Sequence, residues 1–192
     1  MKQSLRAAAR LLLAAGLCCA LAFYAGLGRA EDAKPATKPI KLAVFDLELD
    51  DFSAGGPLAG ESAEETARLR RVTALAREQL AKSGLFELVD TSASGDENVK
   101  AHWLRKCNGC EADIARALGA DMSFIGFFRK ISVMEQNLEF RIRDARTGEL
   151  MNVSQTDYRG ETDESWSRAI IWLIRHGLVE PELARRAGEA AR

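Results

Sequence analysis

The sequence predicts an α/β domain on one mixed five-stranded sheet, in the order β-α-β-α-β-β-β-α, with helices mainly on one face. Three observations carry that expectation. Ile40 to Leu49 (IKLAVFDLEL) begins apolar on both faces, as a central strand does. Ser62 to Ser83 has helical periodicity between recognisable caps, and the later segments alternate apolar and polar residues around turn signals, as an antiparallel meander does.

In chain order, the first strand ends in Asp46, Glu48 and Asp50, which spacing two would place on one face. DDFSAGGPLAG follows as a Gly- and Pro-containing loop. Ser62 caps the long helix with Glu65 three residues on, the reciprocal capping-box spacing, and Gly84 closes it. Leu69, Val72, Ala76 and Leu80 form its apolar stripe, while Glu64/Arg68 and Glu78/Lys82 are favourable i,i+4 pairs on a face expected to be solvated. Leu85 to Val89 is a second strand, and Ser92 to Asn98 a polar loop.

Cys110 to Leu118 reads as a short helix stopped by Gly119, and Met122 to Ile131 as the next strand. Leu138 to Arg143 alternates Leu138, Phe140 and Ile142 with Glu139, Arg141 and Arg143, so one face is buried and one is wet. The turn Asp144 to Gly148 leads into a returning strand, Leu150 to Tyr158. Thr162 caps a last helix with Asp163 and Glu164 in its first turn, Arg175 and His176 in its last, and Gly177 as the stop. Trp166, Ile170, Leu173 and Ile174 are expected to pack it on the sheet, with Trp166 and Trp172 both read as core anchors.

The ends carry different signals. Lys2, Arg6 and Arg10 precede an apolar run from Leu11 to Leu27, and Gly28-Arg29-Ala30 sets small residues where a signal peptidase needs them. Residues 1–30 are therefore expected to be a secretory signal cleaved after Ala30, and the run is short for a retained membrane anchor. Neither Leu17 before Cys18 nor Cys18 before Cys19 suits a bacterial lipidation site. Residues 31–39 read as a flexible lead, 40–178 as the single domain and 179–192 as a short tail.

Cleavage would remove four basic residues and no acid, moving the formal charge from −1 to −5. A mildly acidic chain with dispersed basic residues has no electrostatic footprint for nucleic acid, and no further segment is apolar enough to span a membrane. The expected location is periplasmic or secreted. Two cysteines remain there, Cys107 and Cys110, and an oxidising compartment favours their disulfide.

Several phrases carry a resemblance: LAVFDLELDD, the C-x-x-C followed by EADIARALGAD, FIGFFRKISV, RDARTGEL and RGETDESWSRAIIWL. Together they resemble a bacterial exported-protein family, domain of unknown function 2380, with a similar sibling family numbered 3280, across nearly all of the mature chain. The resemblance implies export and no established activity. The strand order and the D-A-x-T-G turn also look like the amino-terminal domain of the periplasmic protein TolB and the core of curli-type secretion lipoproteins, an analogy of fold.

Two groups of residues could carry chemistry. In Cys107-Asn108-Gly109-Cys110 the second cysteine opens a helix, where amide dipoles favour a thiolate. The motif can serve as a structural disulfide, a thiol–disulfide exchange site or, with His102, part of a metal site, although Glu111 replaces the His of a haem-attachment motif. Asp46, Glu48, Asp50 and Asp51 cluster near a strand's carboxyl end and could hold a divalent cation, or be a strand running out into solvent. GGPLAG lacks the lysine and spacing of a phosphate cradle.

No catalytic residue set emerges. Ser53, Ser62 and Ser165 lie outside a G-x-S-x-G context, and His102 and His176 are the only histidines. No cofactor is expected. The sequence thus points to an exported, non-enzymatic accessory or binding protein whose partner is another cell-envelope protein or a small ligand. A thiol–disulfide protein and a divalent-metal-binding domain are the alternatives.

Overall fold

A computed structural model describes residues 38–101 and 103–191. The signal segment, its cleavage site after Ala30, and His102 lie outside the described residues.

The fold is α/β on one mixed sheet, as expected, with six strands rather than five because the first is broken in two. The strands are β1 (Ile40–Val44), β2 (Glu48–Asp51), β3 (Phe86–Val89), β4 (Met122–Lys130), β5 (Gln136–Asp144) and β6 (Leu150–Tyr158). Their order across the sheet is β3-β1-β4-β5-β6, and β2 continues beside β4 where β1 leaves off. β1 lies parallel to β3 and β4, β2 lies parallel to β4, and β4-β5-β6 is the expected antiparallel meander. β3 and β6 are the edges.

The break at Phe45-Asp46-Leu47 reverses the pleat. Leu42 and Val44 face one core, as do Leu47 and Leu49, whereas Ala43 and Phe45 face the other. The step from Val44 to Leu47 therefore contains one residue too many for alternation, the signature of a bulge. The long helix services it: Thr73 Oγ1 accepts the Leu47 N–H at 3.0 Å, and the Arg77 guanidinium donates to the Val44 carbonyl at 2.9 Å. Backbone groups released from the ladder are thus paired.

That helix spans Ala63–Lys82, preceded by a short turn of helix at Gly56–Ala59; these are α1 (Gly56–Ala59) and α2 (Ala63–Lys82). The Ser62/Glu65 capping box forms in both directions, at 3.2 and 2.8 Å. The supposed polar loop after β3 contains a helical turn, α3 (Glu97–Lys100), capped by the Asp96 side chain. A 3-10 turn at Leu104–Lys106 then leads to α4 (Cys110–Ala117), and the last long helix is α5 (Asp163–Ile174).

α2 and α5 cover one face of the sheet. Leu69, Val72, Ala76 and Leu80 of α2 meet Trp166, Ile170, Leu173 and Ile174 of α5 over Phe124, Phe128, Leu138 and Phe140. The smaller core on the other face joins Ala43, Phe45 and Ile125 to Leu104, Ile114 and Ala115. The α2 face is not simply solvated: Arg68 is buried 5.3 Å from the Trp166 ring centroid and bonded to Glu64 and Asp163, while Arg77 sits on the strand break.

Gly177 does not stop the last helix. The backbone continues through one π-helical stretch, Arg175–Val179, into α6 (Glu180–Ala190), where the sequence suggests only a tail. Gly177 is required for a different reason: a Cβ there would stand 2.8 Å from the Cβ of Ser154 on β6. Pro181 has no N–H to offer the Gly177 carbonyl four residues earlier, and the Asn152 and Ser154 side chains of β6 donate to that carbonyl instead.

Candidate functional site

The cysteine loop joins the 3-10 turn to α4. Cys107 and Cys110 are disulfide-bonded with their Cα atoms 5.6 Å apart. Asn108 and Gly109 make this tight passage with φ of 49° and 120°, conformations that suit Asn and Gly. Glu111 lies beneath the loop at 1% exposure. It accepts the Gly109 N–H at 3.1 Å and the Arg143 Nε–H at 2.8 Å, and its carboxylate is 3.6 Å from Cys107 Sγ. Arg143 also donates to the Gly148 carbonyl, tying the loop to the Asp144–Gly148 turn.

The ligand atoms of Cys107, Cys110 and Glu111 lie within 4.8 Å of one another, the one such group among the described residues. As a disulfide the sulfurs offer no thiolate to a metal, and Glu111 is held by Arg143.

The four acids expected to cluster are separated by the pleat reversal. Asp46 turns to α2 and pairs with Arg77 at 2.9 Å. Glu48 and Asp50 turn to the opposite face, where Arg105 reaches both, at 2.5 and 3.2 Å, and Arg129 reaches Asp50 at 3.4 Å. Glu48 is 4% exposed and also accepts the Leu104 N–H at 2.7 Å; its burial pushes its pKa up against the pull of Arg105. Asp51 returns to the α2 side, accepts the Ser53 N–H at 2.8 Å and lies 3.7 Å from Lys130. Spacing two across Asp46, Glu48 and Asp50 therefore does not mean one face here, because the bulge intervenes.

Lys130 organises a second polar cluster that the sequence does not announce. Its ammonium donates to Glu65 and Glu161, both at 2.7 Å, beside a cleft of about 590 Å³ bounded by the Gly55-Gly56 loop. Burial alone would raise the Glu65 pKa; the Lys130 ammonium and the Ser62 N–H and hydroxyl outweigh it and hold Glu65 at about 2. Lys130 is pushed well above the usual lysine range, since its hydrogen bonds to the two carboxylates outweigh desolvation.

A groove of about 610 Å³ runs between the edge strand β6 and α5. Trp166 and Trp172 part company here. Trp166 is fully buried, stacked on Phe128 at 4.1 Å between centroids, as a core anchor should be. Trp172 is 52% exposed and lines the groove, its ring 4.8 Å from that of His176, so reading it as core is corrected. The reason is helical phase: Arg168, Trp172, Arg175 and His176 recur at three- and four-residue spacing on a stripe beside the buried one. That periodicity was available in the sequence. His176, expected to complement a helix dipole, lies 2.7 Å from Glu180 across the π-helical stretch.

No curated protein matches the chain in sequence. Solved structures similar to it include the LpoB C-terminal domain from Salmonella enterica, 18% identical over 66% of this chain and 87% of that one, with a TM-score of 0.42. The PelC dodecamer from Paraburkholderia phytofirmans is 13% identical over 74% and 92%, at 0.44. TolB from Acinetobacter baumannii is 12% identical over 77% of this chain and 30% of that chain, at 0.43. The family model DUF3280, described as "Protein of unknown function (DUF2380)", matches residues 40–178, and the chain belongs to that family.

Proposed function

We propose that this is an exported, non-catalytic binding domain of the cell envelope, and that it binds through the groove between β6 and α5. The observation that carries this reading is Trp172, a large amphipathic ring left half in solvent on an otherwise well-packed helix. Aromatic residues in such positions are the usual anchors of binding surfaces. The other groups with chemical potential are engaged in the fold itself: Cys107 with Cys110, Asp46 with Arg77, Glu48 and Asp50 with Arg105, and Asp51 near Lys130. Export rests on the amino-terminal sequence pattern, whose cleavage after Ala30 is checked by the mass of the chain released from the periplasm.

The binding claim is tested by affinity isolation from envelope fractions, comparing the wild-type chain with Trp172→Ala. A partner retained by the wild type and lost by the variant supports the reading. Identical sets of retained proteins overturn it.

A further inference from the structure

We propose that the β6/α5 groove receives an extended acidic polypeptide segment, which adds a strand to the sheet beside β6. This rests on the reading above that the groove is the binding site, and goes further by naming the partner's chemistry.

The first support is the edge itself. β6 is nine residues long and ends the sheet, so its outer backbone groups have no strand partner. Natural edges of this length carry lysine, proline or bulges that block pairing. LMNVSQTDY contains neither lysine nor proline. Its one irregularity lies opposite Ile142/Arg143, at the Leu150 end, which leaves the regular stretch to Tyr158 open for an incoming strand.

The second support is charge. Arg159 of the strand end and Arg168 and Arg175 of the helical segment line the groove, against one lining carboxylate, Asp157. Arg168 has Glu164 at 3.5 Å, and no ion pair is formed by Arg159 or Arg175 among the described residues. A surplus of arginine on a chain whose overall formal charge is −1 is a local feature that selects carboxylates.

Spacing refines the partner. Arg168 and Arg175 are separated by about 10 Å along the helix at 1.5 Å per residue, with Trp172 between them. An extended chain advances about 13 Å over four residues and presents alternate side chains to one face. The nearest spacing that keeps both acids on one face is therefore acid-x-apolar-x-acid, with its apolar residue over Trp172 and the difference of roughly 3 Å taken up by the long arginine side chains. A second copy of this chain fits less well, because a two-fold through β6 would set the two arginine stripes against each other.

The test is a titration of the isotope-labelled full exported chain followed by amide and indole NMR. The probe is acetyl-Thr-Glu-Thr-Val-Thr-Glu-Thr-amide, with the peptide in which both Glu are Lys as control. The proposal expects saturable shifts of the Trp172 indole N–H and the Thr156 to Arg159 amides, weakened roughly tenfold by Arg168→Glu with Arg175→Glu or by the lysine peptide. Equal binding of both peptides, or no saturable shift, overturns it. So does a response to phosphatidylglycerol vesicles in place of the peptide, or concentration-dependent β6 shifts without peptide, which would mark a lipid surface or a second copy as the occupant. If Trp172→Ala loses its envelope partner while the acidic peptide fails, only the partner's chemistry is wrong.

Discussion

Gly177 and Ser154 approach so closely that a Cβ on the glycine would meet the serine's Cβ at 2.8 Å and its hydroxyl oxygen at 2.9 Å. The contact sets the height of the helical segment above β6, and Ser154 and Asn152 both donate to the Gly177 carbonyl there. Gly177→Ala would gain about 1 kcal/mol of helix propensity but force apart packed backbone elements. The net expectation is a loss of up to about 2 kcal/mol by urea denaturation, because overpacking typically costs about 1–3 kcal/mol and the propensity gain offsets about 1. Adding Ser154→Gly should recover part of that loss, giving a favourable coupling in the double-mutant cycle.

Gln136 is buried and its carboxamide oxygen accepts from both the Trp166 indole at 3.1 Å and the Tyr158 hydroxyl at 2.6 Å. Burial pushes the Tyr158 pKa above the usual tyrosine range, so it remains a neutral donor in ordinary buffers. Gln136→Leu strands both donors and is expected to cost about 2–4 kcal/mol: each unsatisfied buried group costs about 1–3, and the half-buried Tyr158 falls at the low end of that range. Tyr158→Phe removes one donor cleanly and should cost about 1 kcal/mol. Equal effects in chemical denaturation would contradict this hydrogen-bond arrangement.

Acid stability should depend on Glu65. Its folded pKa of about 2 lies below the ordinary glutamate value of 4.5, so the folded state favours the charged form. The resulting stabilisation is complete above about pH 4.5 and is lost as pH falls toward 2. Glu65→Gln should flatten the stability profile in that window. Glu48 acts with the opposite sign: its raised pKa gives a contribution present below its unfolded value and lost as pH rises through the folded one. Glu48→Gln should therefore steepen the net rise in stability on leaving acid. Stability measured from pH 2 to 7 for the three chains checks both signs.

The Cys107–Cys110 bond closes a short loop, for which chain entropy gives about 2 kcal/mol. Replacing both cysteines by serine should lower stability by about that amount and leave the fold intact. A bond that serves the fold alone predicts a reduction potential below about −300 mV. A value near −120 to −200 mV would instead mark an exchanging pair.

Much of this fold was legible because its signals are local. Ser62/Glu65 and Thr162 announce helix starts, Gly84 and Gly119 end helices with positive φ, and Leu150–Tyr158 occupies its expected range. The break at Phe45-Asp46-Leu47 was harder to read: the apolar set shifts from Leu42 and Val44 to Leu47 and Leu49, a phase change masked by a start apolar on both faces, and the partners of the bulge, Thr73 and Arg77, come from a helix folded onto it. The same nonlocality hid the Lys130 cluster and dispersed the four acids. Gly177 misled because a glycine required by packing and one that ends a helix look alike in sequence. Trp172 differs: its offset from the buried stripe was readable from helical spacing, but the apolar richness of AIIWLI concealed it.

The most direct measurement is photocrosslinking in living cells with a benzophenone amino acid at position 172, compared with position 87 on the opposite edge strand β3. Binding through the groove predicts a discrete envelope-protein adduct from position 172, abolished by Arg168→Glu with Arg175→Glu, and none from position 87. No adduct at 172, or the same adduct from both edges, would contradict it.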